Sequence, residues 1–553
     1  MGHAAFFAAA ALAGLLWTAA CTAAARRLGR PLGRGLFVAL GVALPILVLL
    51  PWLLATASLA VADIRPNWLA AVSTVVVGQL LGGILIAWRD LEAWGAPARP
   101  SVTNPNVASR WPVIGLFAMF LAALAAAIGT LLLLDQAVAA EVSAMRVEAG
   151  RLLQAALPPA PAAGANAAGL HVEAGAAIAA APELAAVDGP LRDAGIDVTG
   201  PVVGDCLARH APLVDLIRRA ADMPGCRFPR DWSRPAVSMP LPEVAASRDE
   251  VRLLALAARR EAAEGRHAEA IADAVRIGRI GRQIGSEPIL ISWLVSLAID
   301  ATALSVVADI LPRLGPDDDH LLDDPGLRDL VGSAPSLAAA LAGEEAFGLS
   351  IFADHAEGHG TLGVDDPDAD ATAPTPFSLG VVWRVFLLPA DVAGYRERLG
   401  QFRLLAETPI DHARGWPGTR DSVDGVDAAL RRAGGDGALS RQVMPAMEAV
   451  FRARHTAVVR HRAAEVLVAA TRERLATGTL PAAVDALVPA RLPAVPRDPF
   501  AGDAPLRTRV TAGEWAVWSV GPNGIDDGGP QTAAAERLEN GDDVGLTMRA
   551  VAP

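Results

Sequence analysis

The sequence is short of charged residues and contains no lysine. Charged residues make up 20% of the 553 positions, and all 48 basic residues are arginines. A composition that is 52% hydrophobic, with a mean hydropathy of +0.35, is too apolar for a disordered chain and high for a wholly soluble protein. Membrane-spanning segments are therefore expected. The missing lysine, with an excess of alanine, indicates a genome rich in G and C rather than a function.

Long uncharged runs are confined to residues 1–134. A helix needs about 20 apolar residues to cross roughly 30 Å of hydrocarbon. Four runs reach this length: Ala4–Ala25, Gly35–Ala62, Trp68–Trp88 and Trp111–Leu134. The first run lacks the basic segment that precedes a cleaved signal peptide, so all four are predicted to be transmembrane helices.

The arginines between these runs predict the orientation of the chain. The loop from Arg26 to Arg34 carries four arginines and the loop from Arg89 to Arg110 carries three, whereas Arg65 in the remaining loop is balanced by an acid. Flanking cations are retained in the cytoplasm. The sequence therefore predicts a multi-pass protein of the bacterial inner (cytoplasmic) membrane, in contact with membrane lipid, with residues 135–553 outside the cytoplasm.

Charge separates the two parts of the chain. Residues 1–134 hold 8 arginines and 3 acids, a net charge of +5. Since the whole chain has a net charge of −12, the remaining residues carry a net charge of −17. Such an acidic part repels a phosphate backbone, so nucleic-acid binding is not expected.

Familiar catalytic motifs are absent from the sequence. It has no Gly-x-Ser-x-Gly, no His-Glu-x-x-His and no Walker loop, and the four apolar runs contain no acid pair. The interpretation favours a non-catalytic envelope protein whose extracytoplasmic part binds protein partners. A membrane-bound enzyme or transport accessory protein without a recognisable motif stays open as the alternative.

Cysteine is scarce. Cys21 lies in the first apolar run, and Cys206 and Cys226 form an even pair in the predicted extracytoplasmic part. An oxidising compartment makes this pair a disulfide candidate, with two buried thiols as the alternative.

Residues 135–452 are predicted to form a mainly helical domain with an acidic loop near 354–375. Apolar spacing of three and four residues on both sides of Gly265 predicts a helical hairpin. The following apolar stretch could be mistaken for a fifth span, but Asp300 and Asp309 within it favour a buried core helix. His455 and His461, on a later helix, are predicted to lie on the surface.

The C-terminal stretch resembles a known family. A long helix, Gly478 and Pro481, the letters DALVP, the step DPF, a strand and SVGPNGIDDGG occur in this order between Ala453 and Pro530. This series resembles the globular domain of the major pseudopilins of type II secretion. The resemblance implies a small α+β module at 453–530, followed by a tail at 531–553, and a link to secretion or pilus-like assembly.

The resemblance also implies a calcium ion at the acidic turn. The carried-over ligands are the carboxylates of Asp526 and Asp527, with Ser519 and Asn523 as carbonyl or amide donors. Hard oxygen ligands in a tight loop suit calcium. The alternative is a turn without metal, because Asn-Gly and Asp-Asp-Gly are good turn formers. The two tryptophans of the strand, Trp515 and Trp518, have opposite parity and are expected on its two faces.

A second resemblance covers residues 111–530. The letters NAA at Asn166, MPGCRFPRDW, the hairpin, SEPILISWLV and the C-terminal series resemble a group of membrane-anchored proteins of planctomycete-type bacteria whose activity is not known. The predicted fold is thus mainly α: four transmembrane helices, a helical extracytoplasmic domain and a pseudopilin-like C-terminal module.

Overall fold

The computed structural model describes most of the chain beyond residue 137. The described residues are 136, 138–162, 164–182, 184, 198–232, 239–357, 388–410, 415–433, 438–444, 446–502, 504–511, 514–530 and 543–549. The four predicted spans lie outside them, as does most of the predicted acidic loop. The chain divides into two compact units, one formed by 1–144 and 353–391 and the other by 145–352 and 392–553. In the first unit, the described residues are all helical.

The described part of the chain is mainly helical, as predicted. The helices are α1 (138–156), α2 (Ala168–Ala179), α3 (Pro201–Arg209), α4 (Ala211–Ala221), α5 (Pro242–Ala263), α6 (His267–Ile284), α7 (Leu290–Ile310), α8 (Pro325–Gly332), α9 (Ala338–Glu357), α10 (Leu388–Glu407), α11 (Gly415–Ala433), α12 (Ala438–Val443) and α13 (Met447–Thr477). Short 3₁₀ helices follow α7 and α13.

The predicted hairpin is confirmed as α5 and α6. The chain reverses at Gly265, whose φ of 79° is a left-handed conformation that favours glycine. Further along α6, glycine allows α7 to approach closely. A Cβ at Gly281 would lie 3.1 Å from Ile299, and one at Gly285 would lie 2.7 Å from Ser296. The small residues of α6 therefore set how near the core helix can pack.

Helix α7 is the centre of this packing. It contacts α5, α6 and α13, and its buried side chains include Trp293 and Asp300. Among the described residues, one helix, Leu290–Arg313, is long and apolar enough to cross a membrane, and 67% of its most apolar window is buried inside the protein. Core helices pass the same test of length and composition. The prediction of a buried core helix at this position is confirmed.

A three-stranded antiparallel sheet packs on α13. Its strands are β1 (Arg507–Val510), β2 (Glu514–Ser519) and β3 (Val544–Arg549), with β2 in the middle. Trp515 pairs with Met548 and Val517 pairs with Leu546, and this buried face lies against α13. Strand β3 comes from the segment predicted as a tail, so residues 544–549 belong to the C-terminal module.

Candidate functional site in the acidic turn

Glycines shape the turn that follows β2. Gly521 and Gly524 have φ angles of 66° and 72°, and the backbone N–H of Gly524 donates to the carbonyl of Gly521 at 3.2 Å. The side chain of Asn523 stabilises the turn, because its Oδ1 accepts a hydrogen bond from the N–H of Ile525 at 2.8 Å. Ile525 itself is 60% exposed at the tip. The local sequence therefore builds the turn from its own hydrogen bonds.

The two adjacent aspartates of the turn face different partners. Asp526 Oδ1 accepts from the indole Nε1 of Trp518 at 3.0 Å and from the N–H of Gly528 at 3.1 Å, and its other oxygen lies 3.4 Å from Arg507 Nε. The Trp518 hydrogen bond is the main reason that the pKa of Asp526 is lowered. Asp527 Oδ2 instead accepts from Asn523 Nδ2 at 3.3 Å.

Ser519 ends β2 and its side chain is committed to a different carboxylate. Its hydroxyl donates to Asp498 Oδ1 at 2.5 Å, and both side chains are fully buried. Asp498 also accepts from the backbone N–H groups of Phe500 at 2.8 Å and Val520 at 3.1 Å. A single carboxylate thus ties the start of the turn to the Asp-Pro-Phe step.

The Asp-Pro-Phe step joins the sheet to the helices. The carbonyl of Pro499 accepts from the N–H of Trp416, the second residue of α11, at 2.7 Å. The ring of Phe500 lies 5.9 Å from that of Trp416 and 5.7 Å from that of His455 on α13, measured between centroids. The module is consequently held on the helical body through its own sequence motif.

Sequence reasoning missed Asp543, which lies beside the turn. This residue directly precedes β3, is 7% exposed, and accepts from the N–H of Gly529 at 2.7 Å through Oδ2. Its Oδ1 is buried and has no hydrogen-bond partner among the residues that the structure describes. Burial raises the pKa of Asp543, and the charges of Asp526 and Asp527 raise it further, although backbone N–H groups of the turn oppose the change. The two carboxylates of the turn therefore act on the pKa of Asp543.

The donor set suits calcium only in part. Carboxylate oxygens are hard ligands, and the unpartnered Oδ1 of Asp543 is an acceptor without a donor. By contrast, the side chains of Ser519 and Asn523 already have partners within the protein. In the described ranges, no three side chains of His, Cys, Asp or Glu lie close enough together to hold a metal ion. A calcium site made of Asp543, Asp526 and Asp527 would therefore require these carboxylates to move closer together than they lie here.

The two cysteines of the disulfide candidate are not joined. Cys206 and Cys226 are both buried thiols, so the predicted disulfide is not formed in this structure. Cys206 lies within α3, whereas Cys226 lies in the extended segment after α4. Burial raises the pKa of Cys226 to about 12, with the carboxylates of Glu287, Glu250 and Glu243 adding to the effect. That thiol is a packed core group.

The surface prediction for two histidines is wrong. His455 is fully buried, its Nδ1 donates to the carbonyl of Phe451 at 2.8 Å, and burial lowers its pKa to about 4. His461 is 5% exposed and contacts Asp300 Oδ2 through Nε2 at 2.6 Å. Its partner lies 161 residues away, so local sequence gives no sign of the pair.

Several of the segments that carry the second resemblance contact one another in the helical part of the structure. Asn166 forms a bridge with Gly225 and exchanges hydrogen bonds with the backbone of Arg227, at 2.9 and 3.0 Å. Arg230 lies 3.0 Å from Glu287 and also contacts Glu243, and all three side chains are at most 6% exposed. Residues of the segments NAA, CRFPR and SEP therefore join the helices of residues 145–352 to one another.

Comparison with protein-family models, with curated proteins and with solved structures finds no match to this chain. The likeness of the C-terminal module to major pseudopilins thus stays a prediction from its motif.

Proposed function

We propose that this chain is a non-catalytic integral membrane protein of the bacterial envelope. In this proposal, the helical body and the C-terminal module form an extracytoplasmic scaffold for protein partners, with a role in secretion or pilus-like assembly. The observation that carries the proposal is the anchoring of the module through Asp498, Pro499 and Phe500. Because these contacts fix the module's sheet to its own helix α13 and to α11, its turn is presented from a rigid support.

The face that the module offers to a partner is the turn itself. Ile525 is exposed at its tip, between Asn523 and the acidic pair. Near the other end of the turn, the guanidinium of Arg509 lies 5.5 Å from the Trp518 ring centroid and also contacts the carbonyl of Gly528. An apolar tip flanked by carboxylates suits a partner surface that is apolar at its centre and basic around it.

Calcium is proposed as the ion that stiffens this turn. Asp543 would supply its unpartnered Oδ1, and Asp526 and Asp527 would supply further carboxylate oxygens. A bound divalent cation would neutralise carboxylates that now raise the pKa of Asp543. The chain's own part is to hold the turn and the start of β3 together, which it does through the Gly529 N–H bond to Asp543.

Membrane topology tests the location that the proposal requires. An alkaline phosphatase domain is active only outside the cytoplasm. A fusion after Ala140 is therefore expected to be active, and a fusion after Ala98 to be inactive at equal expression. A cytoplasmic reporter at the same two positions provides the control and should give the opposite pattern. Activity after Ala98 with none after Ala140 would place the described domain in the cytoplasm and overturn the proposal.

A further inference from the structure

A buried histidine links three helices of the body. His171 lies on α2 and is 1% exposed. Its Nδ1 lies 2.7 Å from Glu250 Oε2 on α5, and its Nε2 lies 2.9 Å from Gln283 Oε1 on α6. The partners are 79 and 112 residues away in the sequence.

Hydrogen-bond donors decide how many protons this cluster holds. The amide nitrogen of Gln283 donates to the carbonyls of Ala220 at 3.0 Å and Met223 at 2.9 Å, so its oxygen must face His171. Nε2 of His171 therefore carries a proton. A neutral imidazole has only one N–H, which leaves Nδ1 as an acceptor facing a carboxylate. The 2.7 Å contact with Glu250 is a hydrogen bond only if a second proton lies between them.

We propose that folding takes up one proton into the His171–Glu250 pair, and that this proton acts as a pH-sensitive latch holding α2 against α5 and α6. The proton resides on the imidazole or on the carboxyl group, and either form satisfies the same contact. An unfolded chain at pH 7.5 has a neutral histidine and an ionised glutamate, and therefore lacks this proton.

The surroundings favour the protonated pair. Burial alone would lower the pKa of His171, but Glu250 and Gln283 raise it through their hydrogen bonds and the charge of the carboxylate. Burial raises the pKa of Glu250, and the His171 contact only partly offsets that change. Both shifts act in the same direction, because each keeps a proton in the folded state that the unfolded chain loses.

Other charged groups around the cluster are committed elsewhere or act weakly on it. On α5, Asp249 is paired with Arg252 and adds its negative charge to the effect on Glu250. On α4, Arg218 is bound to Asp273 of α6 and to Glu261 of α5. Facing the same core, Arg230 is bound to Glu243 and Glu287, and the Cys226 thiol lies among these carboxylates.

The sign of the pH dependence follows from the raised pKa of His171. The stabilisation is complete below the unfolded histidine pKa of about 6.5 and is lost as the pH rises through the folded value. One proton taken up on folding lowers the folding equilibrium constant up to tenfold for each pH unit. Glu287, whose pKa burial raises to about 7, adds a slope of the same sign that fades as the pH rises above 7, and the Cys226 thiol adds another above about pH 8.5. The part of the slope between pH 7 and 8.5 that Glu250→Gln removes therefore belongs to the His171–Glu250 pair.

The test compares the full-length protein in detergent with two variants of equal charge change. Glu250→Gln lets an amide N–H donate to Nδ1 of a neutral His171, so the contact survives without the extra proton. We expect urea unfolding to show that wild-type stability falls by up to tenfold in equilibrium constant per pH unit from 7 to 8.5. That loss should be absent from Glu250→Gln and retained in Asp249→Asn.

Two outcomes would overturn the latch. The proposal is contradicted if the stability of the wild-type protein does not change between pH 7 and 8.5. This result needs no variant, so the test can be made even if a variant does not fold. An equal slope in wild type and Glu250→Gln would assign the proton to another group.

Discussion

Replacing Asp498 by alanine is expected to lower the free energy of unfolding by about 3 to 5 kcal/mol. The carboxylate is fully buried and accepts from the Ser519 hydroxyl and from the N–H groups of Phe500 and Val520. Its removal leaves all three donors buried without an acceptor, and each such group costs about 1 to 3 kcal/mol. Urea unfolding followed by tryptophan fluorescence measures the change.

An exposed aspartate nearby provides the matched control for this substitution. Asp485 lies exposed on the 3₁₀ helix after α13. Asp485→Ala should change stability by no more than about 0.5 kcal/mol. A loss below about 1 kcal/mol for Asp498→Ala would mean that this carboxylate does not anchor the module.

Replacing Arg230 by methionine is expected to cost about 3 to 5 kcal/mol at pH 8. The substitution leaves the carboxylates of Glu243 and Glu287 buried without their cation. Burial already raises the pKa of Glu287 to about 7, with Arg230 opposing the change. Without that arginine, Glu287 binds a proton more readily, so the deficit should shrink at pH 5, where the Glu287 carboxyl group is neutral.

Second substitutions at the partners of Arg230 show whether the loss of stability comes from lost charge pairing or from lost packing. Adding Glu243→Gln and Glu287→Gln to Arg230→Met removes the uncompensated charges, and most of the lost stability should return. Arg252→Met, in a more exposed pair with Asp249, should cost no more than about 1 kcal/mol. A triple variant no more stable than Arg230→Met would show that the ion pairs are not the reason for the loss.

The sequence pattern correctly predicted those features of the structure that depend on residues close together in the chain. Apolar spacing and Gly265 predicted the hairpin, and the two aspartates within an apolar run predicted a core helix rather than a span. Trp515 and Trp518 lie on opposite faces of β2 as their parity predicts, and both faces are covered. The face that carries Trp518 is covered because Arg509 and Asp526 contact the Trp518 ring.

Long-range pairing explains what the sequence could not show. His171, His461 and Asp498 are buried because partners far along the chain satisfy them, and isolated polar residues give no periodic signal. Asp543 and β3 were missed because a polar stretch separates them from the turn. The motif drew attention to Ser519, whose hydroxyl donates to Asp498, while the carboxylate of Asp543 lay beyond the resemblance.

Calcium-dependent melting of the full-length protein tests the central claim about the acidic turn most directly. A ligand that binds only the folded form stabilises it by about 2.7 kcal/mol at a hundredfold excess over Kd. After chelator treatment, millimolar calcium should raise the Tm by about 3 °C, and magnesium should raise it less.

Matched variants assign the effect of calcium to the turn. Asp543→Asn, and the pair Asp526→Asn with Asp527→Asn, should abolish the gain, whereas the control Asp485→Asn should keep it. A wild-type Tm that calcium leaves unchanged, or an undiminished gain in Asp543→Asn, would contradict the account and leave the segment as a turn held by its own hydrogen bonds.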